Sequence, residues 1–173
     1  DRILQDGDVL SVDCGATLDG YVGDSAITVA IGAVDPATEA LLETTRQSLM
    51  AGLSAIRPGA HVGDIGAAIQ AVVEPPGFGI VREYCGHGIG TALHEDPQVP
   101  NYGEAGTGPR IEAGWCLAIE PMVTLGSAEV VTLSDGWTVV TRDKQPAAHF
   151  ELAVAVVGDG VQILTLTSDG ETP

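Results

Sequence analysis

Residues 9–12 and 21–31 are dense in β-branched and other apolar side chains, and the first run opens after the turn Gln5-Asp6-Gly7-Asp8. This predicts two strands, joined as a hairpin through Leu18-Asp19-Gly20. After Gly32 the spacing changes. Asp35-Pro36 is a helix-start signal, and Leu42, Thr45, Leu49, Leu53 and Ile56 recur at helical intervals down to Pro58-Gly59. Val62, Ile65, Ile69, Val72 and Val73 repeat the pattern until Pro75-Pro76-Gly77, so a second helix follows and the two form a helical hairpin. From Phe78 onward glycine and proline are frequent and the apolar runs are short, at residues 116–119, 137–140, 150–157 and 161–164, which predicts strands. Strands, then two helices, then strands argue for an α+β domain with helices packed on one face of a largely antiparallel sheet.

The chain of 173 residues, 45% hydrophobic, is long enough for one domain with a sizeable core. No low-complexity linker or short-period repeat divides it. Seven Lys and Arg against twenty-four Asp and Glu give a net charge of −17, which excludes nucleic acid and anionic membranes as principal partners. Most of that excess is accounted for by solubility. Cys14, Cys85 and Cys116 are odd in number and widely spaced, without a CxxC pair, and read as reduced thiols in a cytoplasm. No stretch approaches a membrane span and the first residues carry no signal pattern, so the expectation is a soluble, unexported protein.

Four segments place chemistry inside apolar surroundings. Asp13, in Val12-Asp13-Cys14-Gly15, and Asp24, in Gly20-Tyr21-Val22-Gly23-Asp24, lie across the predicted hairpin. A carboxylate mid-strand is costly to desolvate unless a cation or donors compensate it, although either could instead face solvent. His87 is framed by glycines in Cys85-Gly86-His87-Gly88-Ile89-Gly90, which allows a tight backbone and leaves space for a substrate beside the imidazole. His94 follows in Leu93-His94-Glu95-Asp96-Pro97, whereas His61 has no such frame and reads as exposed. Glu120 and Glu151 each sit in an apolar strand, in Ala118-Ile119-Glu120-Pro121-Met122 and Ala148-His149-Phe150-Glu151-Leu152. One imidazole and four carboxylates make a hard, oxygen-rich set suited to two divalent cations; without metal, four buried carboxylates would repel one another and take up protons.

Beyond those residues, the chain resembles the type I methionine aminopeptidases. The likeness runs through Leu4-Gln5-Asp6-Gly7-Asp8-Val9, Gly20-Tyr21-Val22-Gly23-Asp24, residues 86–102, Ala118-Ile119-Glu120-Pro121-Met122 and Asp135-Gly136-Trp137-Thr138-Val139-Val140-Thr141, nearly the whole chain in order. The resemblance implies the pita-bread fold and a cytoplasmic, dinuclear-metal enzyme of bacterial type. Such an enzyme removes the N-terminal methionine of nascent proteins by attack of a metal-bridging hydroxide. It implies that Asp13, Asp24, His87, Glu120 and Glu151 are metal ligands, with Asp24 and Glu151 bridging. Glu120 also accepts a proton, and His94 contacts the scissile peptide and stabilises the tetrahedral intermediate. Leu93 and Trp137 match positions that line the methionine pocket, with ordinary core packing as the alternative. The metals are two of Co, Mn, Fe, Zn or Ni, which this ligand set does not distinguish. Nascent-chain N-termini are the expected substrates, ribosome association is compatible with that role, and the whole protein is expected to be a monomer.

Two departures qualify the likeness. The family has further helices and strands upstream, including a histidine near the substrate, so residues 1–173 are expected to be a single catalytic domain truncated at its N-terminus. A separate or cleaved preceding segment is favoured over a true truncation, because a bared core is hard to offset. The family also has glutamine and histidine where His149 and Leu152 flank Glu151, which alters the surroundings of that ligand. A proline-directed peptidase or prolidase of the same fold is the neighbouring reading. A non-catalytic pita-bread binding module is the third, disfavoured because all five ligands are present.

Overall fold

The computed structural model describes residues 3–167 and Gly170. In chain order the elements are β1 (Val9–Leu18), β2 (Tyr21–Ala30), α1 (Pro36–Ala55), α2 (Val62–Val73), β3 (Gly79–Ile80), β4 (Gly86–Gly88) and β5 (Glu95–Val99). They are followed by β6 (Cys116–Ile119), β7 (Met122–Thr124), β8 (Val130–Thr132), β9 (Val139–Thr141), β10 (Ala147–His149), β11 (Glu151–Val157) and β12 (Gly160–Ile163). The main sheet runs β1-β2-β11-β6-β4-β5, with β12 on β11. Every pairing in it is antiparallel, as the order of elements predicted.

The β1–β2 hairpin closes through Asp19 and Gly20, both at positive φ (49° and 86°), the two-residue turn whose twist matches that of its strands. The ladder runs unbroken from Val9↔Ala30 to Leu18↔Tyr21, so β1 extends well past the predicted end at residue 12. The run at 150–157 instead begins one residue late, because Phe150 falls between β10 and β11, which lie in different sheets. The run at 137–140 also starts late: the Asp135 carboxylate accepts the Trp137 and Thr138 amides at 3.1 and 2.9 Å, which bends this segment into a turn until Val139.

Helix α1 begins where Asp35 accepts the Ala37 and Thr38 amides, with Pro36 in the first turn. Its buried stripe is Leu41, Thr45, Ser48, Leu49, Gly52 and Leu53, so Leu41 rather than Leu42 heads the face. Gly52 lets the helices meet closely, since a Cβ there would stand 2.9 Å from Ile69 Cγ1. His61, expected to be exposed, is half-buried at the start of α2, and its amide donates to Asp64 at 2.7 Å. Together the helices cover Leu117, Ile119, Leu152 and Val154 of β6 and β11, all essentially buried in one core with Leu41, Ile65 and Ile69.

The pairing of β11 with β6 puts Leu152 opposite Ile119 and Val154 opposite Leu117. The alternate residues, Ala153 and Ala118, are also opposite one another and face the other way. Large residues therefore face the helices and small ones floor the opposite side. All three cysteines are free thiols, and among the described residues no helix is long and apolar enough to cross a membrane.

Candidate metal centre

The same registers carry the predicted ligands to that alanine-floored face. Gly15 pairs with Asp24 and Asp13 with Ala26, so Asp13 and Asp24 share a face of the hairpin. Ala26 also pairs with Glu151, placing that carboxylate beside Asp24. Ala118, on the same face as Ala153, pairs with His87 of β4, and Glu120 follows two residues further along. Five side chains spread from residue 13 to residue 151 thus share one side of the sheet.

Side-chain distances agree with the registers. One ligand atom each from Asp24, His87 and Glu151 lies within 4.8 Å of the other two. His87 Nε2 stands 3.4 Å from Glu120 Oε1 and 3.9 Å from Asp24 Oδ2. His87 Nδ1 lies 2.9 Å from the Gly88 carbonyl, which can only accept, so Nδ1 carries the proton. In the neutral ring Nε2 is then a bare lone pair aimed at two carboxylates.

Burial makes that arrangement costly without a cation. Glu151 is 2% exposed and its Oε1 has no hydrogen-bond partner among the described residues. Burial first, then the charges of Glu120, Asp24 and Asp13, push its carboxyl up to about 9. Asp24 is raised in the same direction, mainly by burial and by Asp13. Asp13 itself is exposed. An orphaned buried carboxylate oxygen, an imidazole lone pair and further carboxylates fit divalent first-row cations. Asp13, Asp24, His87, Glu120 and Glu151 are the side chains that could hold them.

The glycines around His87 allow the tight backbone read in the sequence. A Cβ on Gly86 would collide with the Ala118 carbonyl, and one on Gly88 with the Asp96 carbonyl. They let β4 sit tightly between β6 and β5. His94 does return to His87, with ring centroids 4.4 Å apart at 80°. Its loop is held by Glu95, whose carboxylate accepts the Thr91 and Ala92 amides at 2.8 Å each. Cys85, Gly86, His87, His94, Glu95, Asp96 and Gln98 line a cleft of about 520 Å³.

Leu93 lies near Asp24: a Cβ built on Gly15 would stand 3.4 Å from Leu93 Cδ1 and 3.5 Å from Asp24 Oδ1. Trp137 is on the turn of the separate β8–β9 hairpin, not on the sheet that carries the ligands. Leu93 is 40% and Trp137 79% exposed, which removes the core-packing alternative for both. A larger apolar groove of about 880 Å³, lined by Val62, Pro97, Tyr102, Pro109 and Trp115 among others, shares only Asp96 and Gln98 with the cleft at His87. It holds none of the five ligands, so converging titratable groups, not volume, identify the site.

Asn101 at the site escaped sequence reasoning, and His149 entered it only as an altered neighbour of Glu151. His149 Nε2 is 3.5 Å from Glu120 Oε2, and fully buried Asn101 donates from Nδ2 to the Glu120 carbonyl at 3.0 Å. The signal for His149 was its place two residues before Glu151. For Asn101 the sequence offers none.

Comparison with known proteins agrees with this construction. Residues 1–163 match the model of metallopeptidase family M24. The chain is 51% identical over 164 residues to methionine aminopeptidase 1 of Bacillus subtilis, and 50% identical over 171 residues to methionine aminopeptidase 1 of Mycobacterium tuberculosis. These alignments take in 95% of this chain, but only 66% and 64% of the relatives' lengths. Among solved structures, the methionine aminopeptidase of Thermotoga maritima superposes with a TM-score of 0.92 at 44% identity, over 94% of this chain and 65% of that one. Prolidase from Pyrococcus furiosus superposes at 0.75 with 21% identity, covering 97% of this chain and 44% of its own, a likeness of fold alone. The α+β pita-bread architecture and the resemblance to methionine aminopeptidases both stand. With a family match over most of its length and candidate ligands brought together by the register of one sheet, the chain belongs to metallopeptidase family M24.

Proposed function

We propose that the chain is the catalytic domain of a methionine aminopeptidase, removing the N-terminal methionine of nascent proteins with two divalent metals. The observation that carries this reading is Glu151: a buried carboxylate with an orphaned oxygen, beside Asp24 and a His87 whose lone pair faces inward. The relatives named for this activity supply the substrate class.

Asp13, Asp24, His87, Glu120 and Glu151 hold the metals. When bound, the cations supply Lewis-acid polarisation of the scissile carbonyl and a nucleophile available at neutral pH. The remaining work belongs to side chains. Asp13, which is exposed, would hold the metal site at which the substrate's free amino group binds. Glu120 accepts a proton as the nucleophile forms. His94, edge-on to His87 at the cleft, donates to the carbonyl oxygen as charge develops on it. Leu93 and Trp137 contribute apolar surface for the methionine side chain. Nascent-chain N-termini in the cytoplasm, at or near the ribosome, are the setting this substrate implies. Cobalt, manganese, iron, zinc and nickel all suit the donor set.

Hydrolysis of a Met-Ala-type peptide by the chain supplied with Co²⁺, Mn²⁺ or Fe²⁺ tests the reading, with an Ala-Pro peptide as the comparison that would reveal a prolidase. An Asp24→Asn chain with unchanged turnover overturns it.

A further inference from the structure

Glu120 faces two imidazoles, and only one belongs to the ligand set. Its Oε1 addresses His87 Nε2 at 3.4 Å, and its Oε2 addresses His149 Nε2 at 3.5 Å. The His149 nitrogen is buried and has no hydrogen-bond partner among the described residues. Leaving a ring nitrogen so placed is unfavourable unless something nearby uses it.

The backbone around His149 is fixed from both sides. Its amide donates to Thr28 Oγ1 at 2.8 Å, and the Thr28 hydroxyl donates back to the His149 carbonyl at 2.7 Å. On the other edge His149 pairs with Met122, and the Phe150 amide donates to the Pro121 carbonyl at 3.4 Å. The segment carrying His149 is therefore laced to the segment carrying Glu120. Asn101 secures the same place from below, through its bond to the Glu120 main chain.

We propose that His149 is a positioning residue for Glu120: its Nε2–H engages Oε2, leaving Oε1 as the one oxygen offered to the site shared with His87. The proposal rests on reading the cluster as a metal centre. A glutamate carboxylate rotates freely about its last bond and can offer one oxygen or both; a donor held against one oxygen selects the other. At 3.5 Å the two atoms are in contact without a hydrogen bond between them, and rotation of the Glu120 carboxylate about its last bond would close the gap.

The test is Co²⁺ titration of the metal-stripped full chain, followed by calorimetry and by the visible absorption of bound Co²⁺. It compares wild type, His149→Gln, His149→Leu and Glu120→Gln, with unfolding midpoints recorded for each. His149→Leu is expected to weaken Co²⁺ binding by about tenfold and alter the Co²⁺ spectrum. His149→Gln, whose amide can donate from the same strand position, is expected to restore both. His149→Asn, polar but too short to reach Oε2, replaces the leucine variant if that chain does not fold. Wild-type affinity and spectrum in His149→Leu or His149→Asn overturn the proposal while leaving the metal centre intact. Failure of the metal reading looks different: wild type and Glu120→Gln would then both take up no Co²⁺, which overturns the two together.

Discussion

His87 Nε2 and Glu120 Oε1 face each other across 3.4 Å, while the imidazole Nδ1 is engaged by the Gly88 carbonyl. In the neutral ring two lone pairs at that distance repel unless a cation lies between or beside them. Glu120→Gln is therefore expected to lower divalent-metal affinity by at least about tenfold while changing the metal-free unfolding midpoint little. Equilibrium dialysis with Mn²⁺ against wild type checks this; equal binding would remove Glu120 from the ligand set.

Glu151 gives a pH dependence whose sign is fixed. Its carboxyl titrates near 9 in the metal-free fold, against an ordinary value of 4.5 in the unfolded chain. Below the unfolded value both states are protonated and nothing is lost. As pH rises from there toward 9 the unfolded chain ionises while the fold retains its proton, so stability falls throughout that window. Asp24, raised for the same first reason, adds to the slope. Thermal unfolding of the metal-free chain between about pH 5 and 9 is expected to show a falling midpoint, and Glu151→Gln to flatten it. A midpoint that climbs with pH would contradict the assigned direction.

Metal uptake must then displace that proton. Calorimetric titration with Mn²⁺ near neutral pH, repeated in buffers of different ionisation enthalpy, is expected to report net proton release, reduced in Glu151→Gln. Chelator removal of the ion should return the pH slope of the preceding experiment.

Gly88→Ala tests the mounting of His87. The added methyl meets the Asp96 carbonyl, part of a backbone that cannot swing aside, so β4 and β5 must separate. A loss of about 1–3 kcal/mol in urea unfolding is expected, together with weaker metal binding. An unperturbed variant would mean that the strands have slack that their spacing does not suggest.

Much of this molecule was readable before folding. The capped start of α1, the Asp19-Gly20 turn and the candidate cluster that includes Asp24, His87 and Glu151 all announce themselves in short-range residue chemistry. What escaped depends on long-range pairing. The break at Phe150 arises because β10 and β11 join different sheets, a fact that no local pattern contains. The turn at Trp137 needed the Asp135 carboxylate to be seen capping it. The reason for Gly86 and Gly88 lies in the Ala118 and Asp96 carbonyls, which only the assembled sheet brings near. His149 and Asn101 matter through Glu120, and neither carries a motif of its own.

The alternation along β11 has a further consequence. Glu151 and Leu152 are neighbours pointing to opposite sides, with Glu151 opposite Ala26 of β2 and Leu152 opposite Ile119 of β6. A slip of one position in the pairing of β11 would drive a carboxylate into the helices and offer leucine to the ions. A wrongly zipped molecule is consequently inert and unstable at once, so any population that survives as folded is also assembled for chemistry.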